Sequence, residues 1–199
     1  GALKLVALIP DLAQTAKRAE LTEQSRAAIT ALLATLSLER IVELSGDPEL
    51  VVRELALRAA TPYVTDKAKR KTVLKMLYGA LKDPDVTLRR SSAMALRDTL
   101  DPEVQSKLME ASSDADTEVR LTVVDAAITL ANEQGDGILL SLIDDPDDKV
   151  KLAVVKAIGQ RKIKAAIEKL KFRVTHRDLE MRRAVLATMT TFGVSLMIG

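Results

Sequence analysis

Hydrophobic and small residues recur at three- and four-residue spacing through most of the chain, the pattern of helices with one buried face. Val119, Val123, Ala126, Ala127 and Leu130 are an example. Similar small or aliphatic runs cover residues 55–60, 93–96, 123–128, 154–158 and 185–189. The pattern therefore predicts an all-α protein.

Five similar segments open these helices. Each begins with Asp, or with His in the last one, and has an aliphatic residue or Met five positions on and a base six positions on. They begin at residues 47, 83, 114, 145 and 176, so the spacing is 36 residues once and then 31 residues three times. A repeat of this period indicates a stack of similar helical units.

The opening aspartates predict helix starts. Asp is a strong N-cap, and Pro in the next position fits the first helical turn. We expect the opening Asp of each unit to cap its helix, whereas Thr175 and Asp178 form a capping-box pattern in the last unit.

A second helix fits between successive starts, at residues 66–81, 102–111, 137–143 and 163–172. Each unit is then a pair of antiparallel helices, which must stack on its neighbours to bury its apolar face. Before residue 47 we expect helices over 11–19, 22–35 and 37–44, with Gly46 ending the last. We predict divergent helices over 1–46 and one continuous repeat array over 47–199.

These features resemble the HEAT-like repeats, especially the short kind named after the phycobilisome lyases. The resemblance covers residues 47–193, and 20–46 more loosely. It implies a right-handed α-α superhelix, with the Asp-led first helices on the concave side and the second helices on the convex side. It also implies that the base at position six ties neighbouring units together. The residues of this ladder are Asp47, Arg53, Asp83, Arg89, Asp114, Arg120, Asp145, Lys151 and Arg182.

The spacing within each unit also predicts a partner-binding surface. Counted from the opening residue, the base lies six positions on, and the residues seven, eleven and fourteen positions on should point away from the core. Leu121 and Leu152 would form an apolar middle or contact neighbouring helices. The predicted concave face comprises Glu54, Arg58, Arg90, Met94, Arg97, Leu121, Asp125, Leu152, Lys156 and Arg183.

Composition excludes several classes of function. The chain has no cysteine, which rules out disulfides, thiolate catalysis and cysteine-bound metal and fits a reducing, cytoplasmic setting. Aromatic residues make up only 2%, so there is no platform for stacking bases. No run of about 18 apolar residues is present, which argues against a membrane span.

Charge is strongly polarised along the chain. The net charge is +5 over residues 1–97, −12 over 98–148 and +9 over 149–183. Two second helices are basic, at residues 67–82 and 161–173, and could contact phosphate or anionic lipid. The acidic stretch between them and the scarcity of aromatic residues make nucleic-acid binding the weaker interpretation.

Candidate chemistry has simpler structural explanations. The acidic run 144–148 fits helix capping better than calcium binding, because the EF-hand pattern is absent. His176 lies where other units have a capping residue. Gly135 and Gly137 are too few for a phosphate loop. We expect no catalytic residue, metal or cofactor.

The first nine and last sixteen residues carry one charge between them, Lys4. We expect the chain to be part of a longer protein, with self-association through these apolar ends as an alternative. The main hypothesis is a non-enzymatic scaffold that holds a protein or peptide on its concave face. The alternatives are an accessory subunit of a bilin lyase and a nucleic-acid binder that uses the basic helices.

Overall fold

The computed structural model describes residues 22–97, 99, 102–130 and 133–193, and within them every regular element is helical. The α-helices are α1 (Glu23–Leu33), α2 (Leu38–Leu44), α3 (Leu50–Ala60), α4 (Arg70–Ala80), α5 (Val86–Arg97), α6 (Pro102–Ala111), α7 (Thr117–Thr129), α8 (Glu133–Leu142), α9 (Asp148–Arg161), α10 (Ile167–Lys171) and α11 (Leu179–Thr191). Short 3-10 helices, Thr61–Thr65 and Lys164–Ala166, come before α4 and α10. The all-α prediction is confirmed, while the helix predicted over 11–19 lies outside the described residues.

The second helices match the prediction unevenly. The helix over 102–111 is confirmed as α6. The helix predicted from residue 66 begins at Arg70, because the Asp66 carboxylate accepts the backbone N–H groups of Ala68 and Lys69 in a turn before it. The segment 163–172 divides into a 3-10 helix and α10, and α8 begins at Glu133, four residues before its predicted start.

The N-caps predicted at the opening aspartates are wrong by two residues, and in the last unit the N-cap is Asp178, so the capping box that begins at Thr175 is also wrong. Where an N-cap is assigned, it is the third residue of the unit, and Asp116, Asp147 and Asp178 each accept a backbone N–H of the first turn. The opening aspartates instead accept the backbone N–H two residues on, at 2.8 Å in each case; they are Asp47, Asp83, Asp114 and Asp145. Each of these four units therefore opens with a short turn in which one oxygen of the opening carboxylate accepts the backbone N–H. The carboxylate can still accept hydrogen bonds from a second group.

Two compact units contain these helices, one up to Ala95 and one from Leu96 onward. In the first unit, α3 packs on α1 and α2, which lie on the other side of the predicted boundary at residue 47. In the second unit, α9 packs on α7, α8 and α11. The buried hydrophobic residues of the described ranges are all Ala, Val, Leu, Ile or Met. The core is thus aliphatic, as the low aromatic content predicts.

Lys162 ends α9 in the left-handed conformation, with φ 58° and ψ 44°. This conformation is unfavourable for a residue with a Cβ, whereas glycine adopts it without strain. We expect Lys162→Gly to raise the free energy of unfolding by about 0.5–1 kcal/mol, after allowance for the greater freedom of glycine in the unfolded chain. Urea denaturation measures this change, and a loss of stability would contradict it.

Candidate partner-binding faces

Arginines at position six connect successive turns. The Arg53 Nε and Nη2 atoms donate to the two carboxylate oxygens of Asp83 at 3.0 and 3.1 Å, across 30 residues. Its Nη1 donates to the carbonyls of Asp47 and Pro48 in its own turn. One guanidinium thus bonds the turn before its own helix and the opening Asp of the next unit.

The same arrangement is more deeply buried at Arg120. Its Nε and Nη2 atoms lie 2.7 and 2.9 Å from the Asp145 carboxylate, and its Nη1 donates to the carbonyls of Asp114 and Ala115. The hydrogen bond that Arg120 donates to Asp145 raises the pKa of the Arg120 guanidinium above its ordinary value. Only 8% of the Arg120 side chain and 2% of the Asp145 side chain are exposed.

Arg89 and Arg182 share part of this arrangement. Their Nη1 atoms donate to the carbonyls of their own turns, at residues 83–84 and 176–177. The Lys151 ammonium lies 2.6 Å from Asp148 in its own helix. Lys151 is therefore an exception to the predicted ladder, because lysine lacks the planar set of donors that reaches two turns at once.

Small side chains leave a depression between α1 and α3 in the first unit. Its volume is about 420 Å³. Arg58, a residue of the predicted face, lies at its margin and forms an ion pair of 2.9 Å with Glu23 of α1. The lining residues are Glu23, Ala27, Thr30, Ala31, Ala34, Arg58, Ala59 and Pro62.

A similar depression lies between α9 and α11 in the second unit, with a volume of about 470 Å³. Two residues of the predicted face, Lys156 and Arg183, line it, and Lys156 is 3.0 Å from Glu180. The other lining residues are Gly159, Gln160, Glu180, Ala184, Ala187, Thr188 and Thr191. A Cβ at Gly159 would lie 2.8 Å from Thr188 Oγ1, so glycine permits this close approach of the two helices.

The remaining residues of the predicted face are exposed to different degrees. Met94 and Asp125 are exposed, with 54% of Met94 accessible. Leu121 and Leu152 are half-buried, so only part of each side chain is open to a partner. Glu54, Arg90 and Arg97 are also half-buried, and Glu54 forms an ion pair of 2.6 Å with Arg26.

The acidic run 144–148 is occupied by structural contacts. Asp145 bonds Arg120, and Asp147 caps α9 and also accepts a hydrogen bond from the Thr117 hydroxyl. The backbone N–H of Lys149 lowers the pKa of Asp147, and the Lys151 ammonium lowers that of Asp148. In the part of the chain that the structure describes, no group of three metal-binding side chains comes together.

His176 is a turn residue. Its Nδ1 accepts the backbone N–H of Asp178 at 3.1 Å, in the place where the other units have a carboxylate oxygen. The single histidine therefore repeats the structural role of the opening aspartates.

Residues 38–128, slightly less than half of the chain, match the family model of the HEAT repeats. No sequence among the curated proteins matches the chain. The matched segment includes the Arg53–Asp83 contact and the margin of the first depression at Arg58.

Solved structures support the same fold. The complex of CpcE and CpcF of phycocyanin lyase from Nostoc sp. PCC7120 is similar, with a TM-score of 0.58, 20% identity and 79% of this chain covered. The chain spans 65% of the length of that neighbour. A designed armadillo repeat protein in complex with the peptide (KR)4 has a TM-score of 0.57 at 18% identity, over 85% of this chain and 92% of its own.

Human deoxyhypusine hydroxylase in complex with glycerol is also similar, with a TM-score of 0.51 at 17% identity, over 85% of this chain and 67% of its own. At these identities the similarity shows the fold alone, which is that of the armadillo and HEAT solenoid proteins. None of the described helices is long and apolar enough to cross a membrane.

Proposed function

We propose that the chain is a scaffold that binds a protein segment on its first helices, where the two depressions lie. The observation that carries the proposal is that the two units have the same kind of depression, with a cation of the same register position at the margin. Arg58 and Lys156 both stand eleven residues after the opening Asp of their units. This repetition favours recognition of the same chemistry at each depression.

The chemistry of the margins favours an acidic partner. Arg58 and Lys156 are each paired with a glutamate of a neighbouring helix, and both pairs are largely exposed. An exposed ion pair contributes little to stability, so a carboxylate from a partner can replace the glutamate at small cost. Arg183 adds a second exposed base beside Lys156.

The walls favour small apolar side chains in the partner. Alanine, glycine and threonine line most of both depressions, and they stand on helices that are held by the core. A rigid surface loses little conformational entropy on binding, which favours affinity. The partner we propose is an extended segment with acidic side chains next to small apolar ones.

The rival hypotheses have less support. An accessory role in a bilin lyase draws only on the fold of one neighbour. Nucleic-acid binding would require the basic second helices, and their bases are not accompanied by a series of exposed aromatic residues. A binding role without catalysis also agrees with the structural contacts of His176 and of the acidic run.

A displayed library of random peptides, selected on the immobilised chain, tests the proposal. We expect the selected peptides to be acidic, and we expect Lys156→Glu/Arg183→Glu to weaken their binding at least about tenfold, because it reverses the charge at the margin. Lys71→Glu/Lys75→Glu on α4 carries the same change of charge and is the matched control. Selected peptides that are basic, or that bind both variants equally, would contradict the proposal.

A further inference from the structure

Among the described residues, Phe172 is the most exposed large hydrophobic, with 83% of its surface accessible. It directly follows α10, whereas the other described phenylalanine, Phe192, is half-buried. Tyr63 is half-buried as well, and the Lys69 ammonium covers its ring at 4.0 Å from the centroid. An aromatic ring that is open to water on most of its surface is the kind of group that a binding surface buries.

The segment around Phe172 is strongly basic. Residues 162–177, here called the basic surface, contain six bases and one acid. Asp144 and Asp148 contact this surface from outside it, which gives six bases against three acids. Among the described residues, Lys162 and Lys164 have no carboxylate partner. The basic surface therefore keeps an excess of positive charge after its ion pairs are counted.

The exposed ring has a base beside it on α10. Glu168, Lys171 and Phe172 are exposed and follow one another at three- and one-residue steps, which places them on one helical face. Lys171 is paired with Glu168 at 2.7 Å. Lys164 is exposed on the 3-10 helix that precedes α10.

The turn after Phe172 is fixed. Arg173 donates to the carbonyl of Ile143 at 2.8 Å and to Asp144 at 2.5 Å, and only 16% of its side chain is exposed. Lys169 is 2.7 Å from the same carboxylate. Lys169 and Arg173 lower the pKa of Asp144, so this anchor stays ionised at neutral pH. Phe172 therefore lies between Lys169 and Arg173, which are both bonded to Asp144, and its ring is exposed to solvent.

An anionic lipid surface fits these features better than a protein or a nucleic acid. The core of a protein interface needs several apolar residues, but Phe172 is the only exposed large hydrophobic between residues 162 and 177. Nucleic-acid binding without base readout uses several aromatic residues in series. A single aromatic ring among lysines and arginines suits the boundary between head groups and acyl chains.

We propose that the basic surface docks on an anionic membrane and inserts Phe172 at the head-group level. Co-sedimentation of the 199-residue chain with vesicles of phosphatidylcholine and phosphatidylserine tests this. We expect binding that decreases with salt and is absent from pure phosphatidylcholine. Phe172→Ala should weaken binding about tenfold and Lys164→Glu/Lys171→Glu about a hundredfold.

Matched variants separate this surface from general stickiness. Leu32→Ala removes another exposed apolar side chain, and Lys71→Glu/Lys75→Glu makes the same charge change on α4; both should bind as the wild type does. Thermal unfolding confirms that each variant is folded. Equal binding by the wild type and Phe172→Ala, or a larger loss in a control, would overturn the proposal.

A fluorescence experiment tests insertion directly. The chain contains no tryptophan, so Phe172→Trp introduces a single probe. We expect its emission to shift to the blue with anionic vesicles, while Leu32→Trp shows no shift. Duplex DNA or an acidic peptide should not produce the shift; a shift with either of them but not with vesicles would overturn the proposal in favour of that partner.

Discussion

Replacing Asp145 by alanine is expected to lower the free energy of unfolding by about 3–5 kcal/mol. The reason is that Arg120 would keep its charge in a buried position, with 8% of its side chain exposed, and would lose both hydrogen bonds to the carboxylate. Arginine cannot escape this penalty by releasing a proton. The alanine also removes the acceptor for the backbone N–H of Asp147 in the turn before α9. Denaturation in urea measures the loss.

The equivalent pair in the first unit is the matched control. The side chains of Arg53 and Asp83 are 15% and 13% exposed, so water can partly replace the lost carboxylate. Asp83→Ala should therefore cost less, about 1–3 kcal/mol. The double variant Arg120→Met/Asp145→Leu should recover much of the loss at the buried site. A loss below about 1 kcal/mol for Asp145→Ala would contradict the structural role of the pair.

Gly135→Ala is expected to lower the free energy of unfolding by about 2–3 kcal/mol, although alanine normally stabilises a helix relative to glycine. An added Cβ would lie 2.3 Å from the carbonyl oxygen of Ala127 on α7 and 3.0 Å from Arg161 Cζ. Arg161 cannot move away freely, because it bonds Asp136 and the carbonyls of Ile128 and Leu130. The backbones of α7 and α8 would have to separate.

Gly137→Ala provides the control in the same helix. Its Cβ would meet only the Met109 side chain, at 3.7 Å, which is ordinary contact. We expect this variant to gain up to about 1 kcal/mol through helix propensity. The opposite signs of the two substitutions are the diagnostic result, and a gain of stability in Gly135→Ala would show that α7 and α8 are not packed this closely.

The predicted start of one second helix is also wrong. The helix predicted from residue 137 begins at Glu133 instead. The glycine at 135 is needed for the approach to Ala127, a contact between helices that periodicity does not reveal. By contrast, α6 has its predicted bounds, because Pro at the first helical position is a local signal.

The N-caps show a similar limit. The sequence Asp-Pro in a repeated start predicts a cap at the Asp, but the cap is two residues later. The opening carboxylates of Asp83 and Asp145 accept hydrogen bonds from arginines 30 and 25 residues before them. A capping rule considers only residues that are close in sequence, so it does not predict these distant partners.

The position of each residue within its unit predicted part of the candidate site. It placed Arg58, Lys156 and Arg183 on the outward side of the first helices, and each of them lines a depression. It missed Glu23 and Glu180, which pair with these bases. The missing signal is the relative position of neighbouring helices, which fixes where the small side chains Ala31 and Ala187 leave space.

The proposal that a partner is held on the first helices is tested most directly by nuclear magnetic resonance. An acidic peptide from the selection is titrated into the ¹⁵N-labelled chain, and the backbone amide shifts are followed. We expect the largest shifts around the depression between α9 and α11, at Gly159, Ala184 and Ala187. Shifts confined to the second helices α8 and α10, with none between α9 and α11, would contradict it.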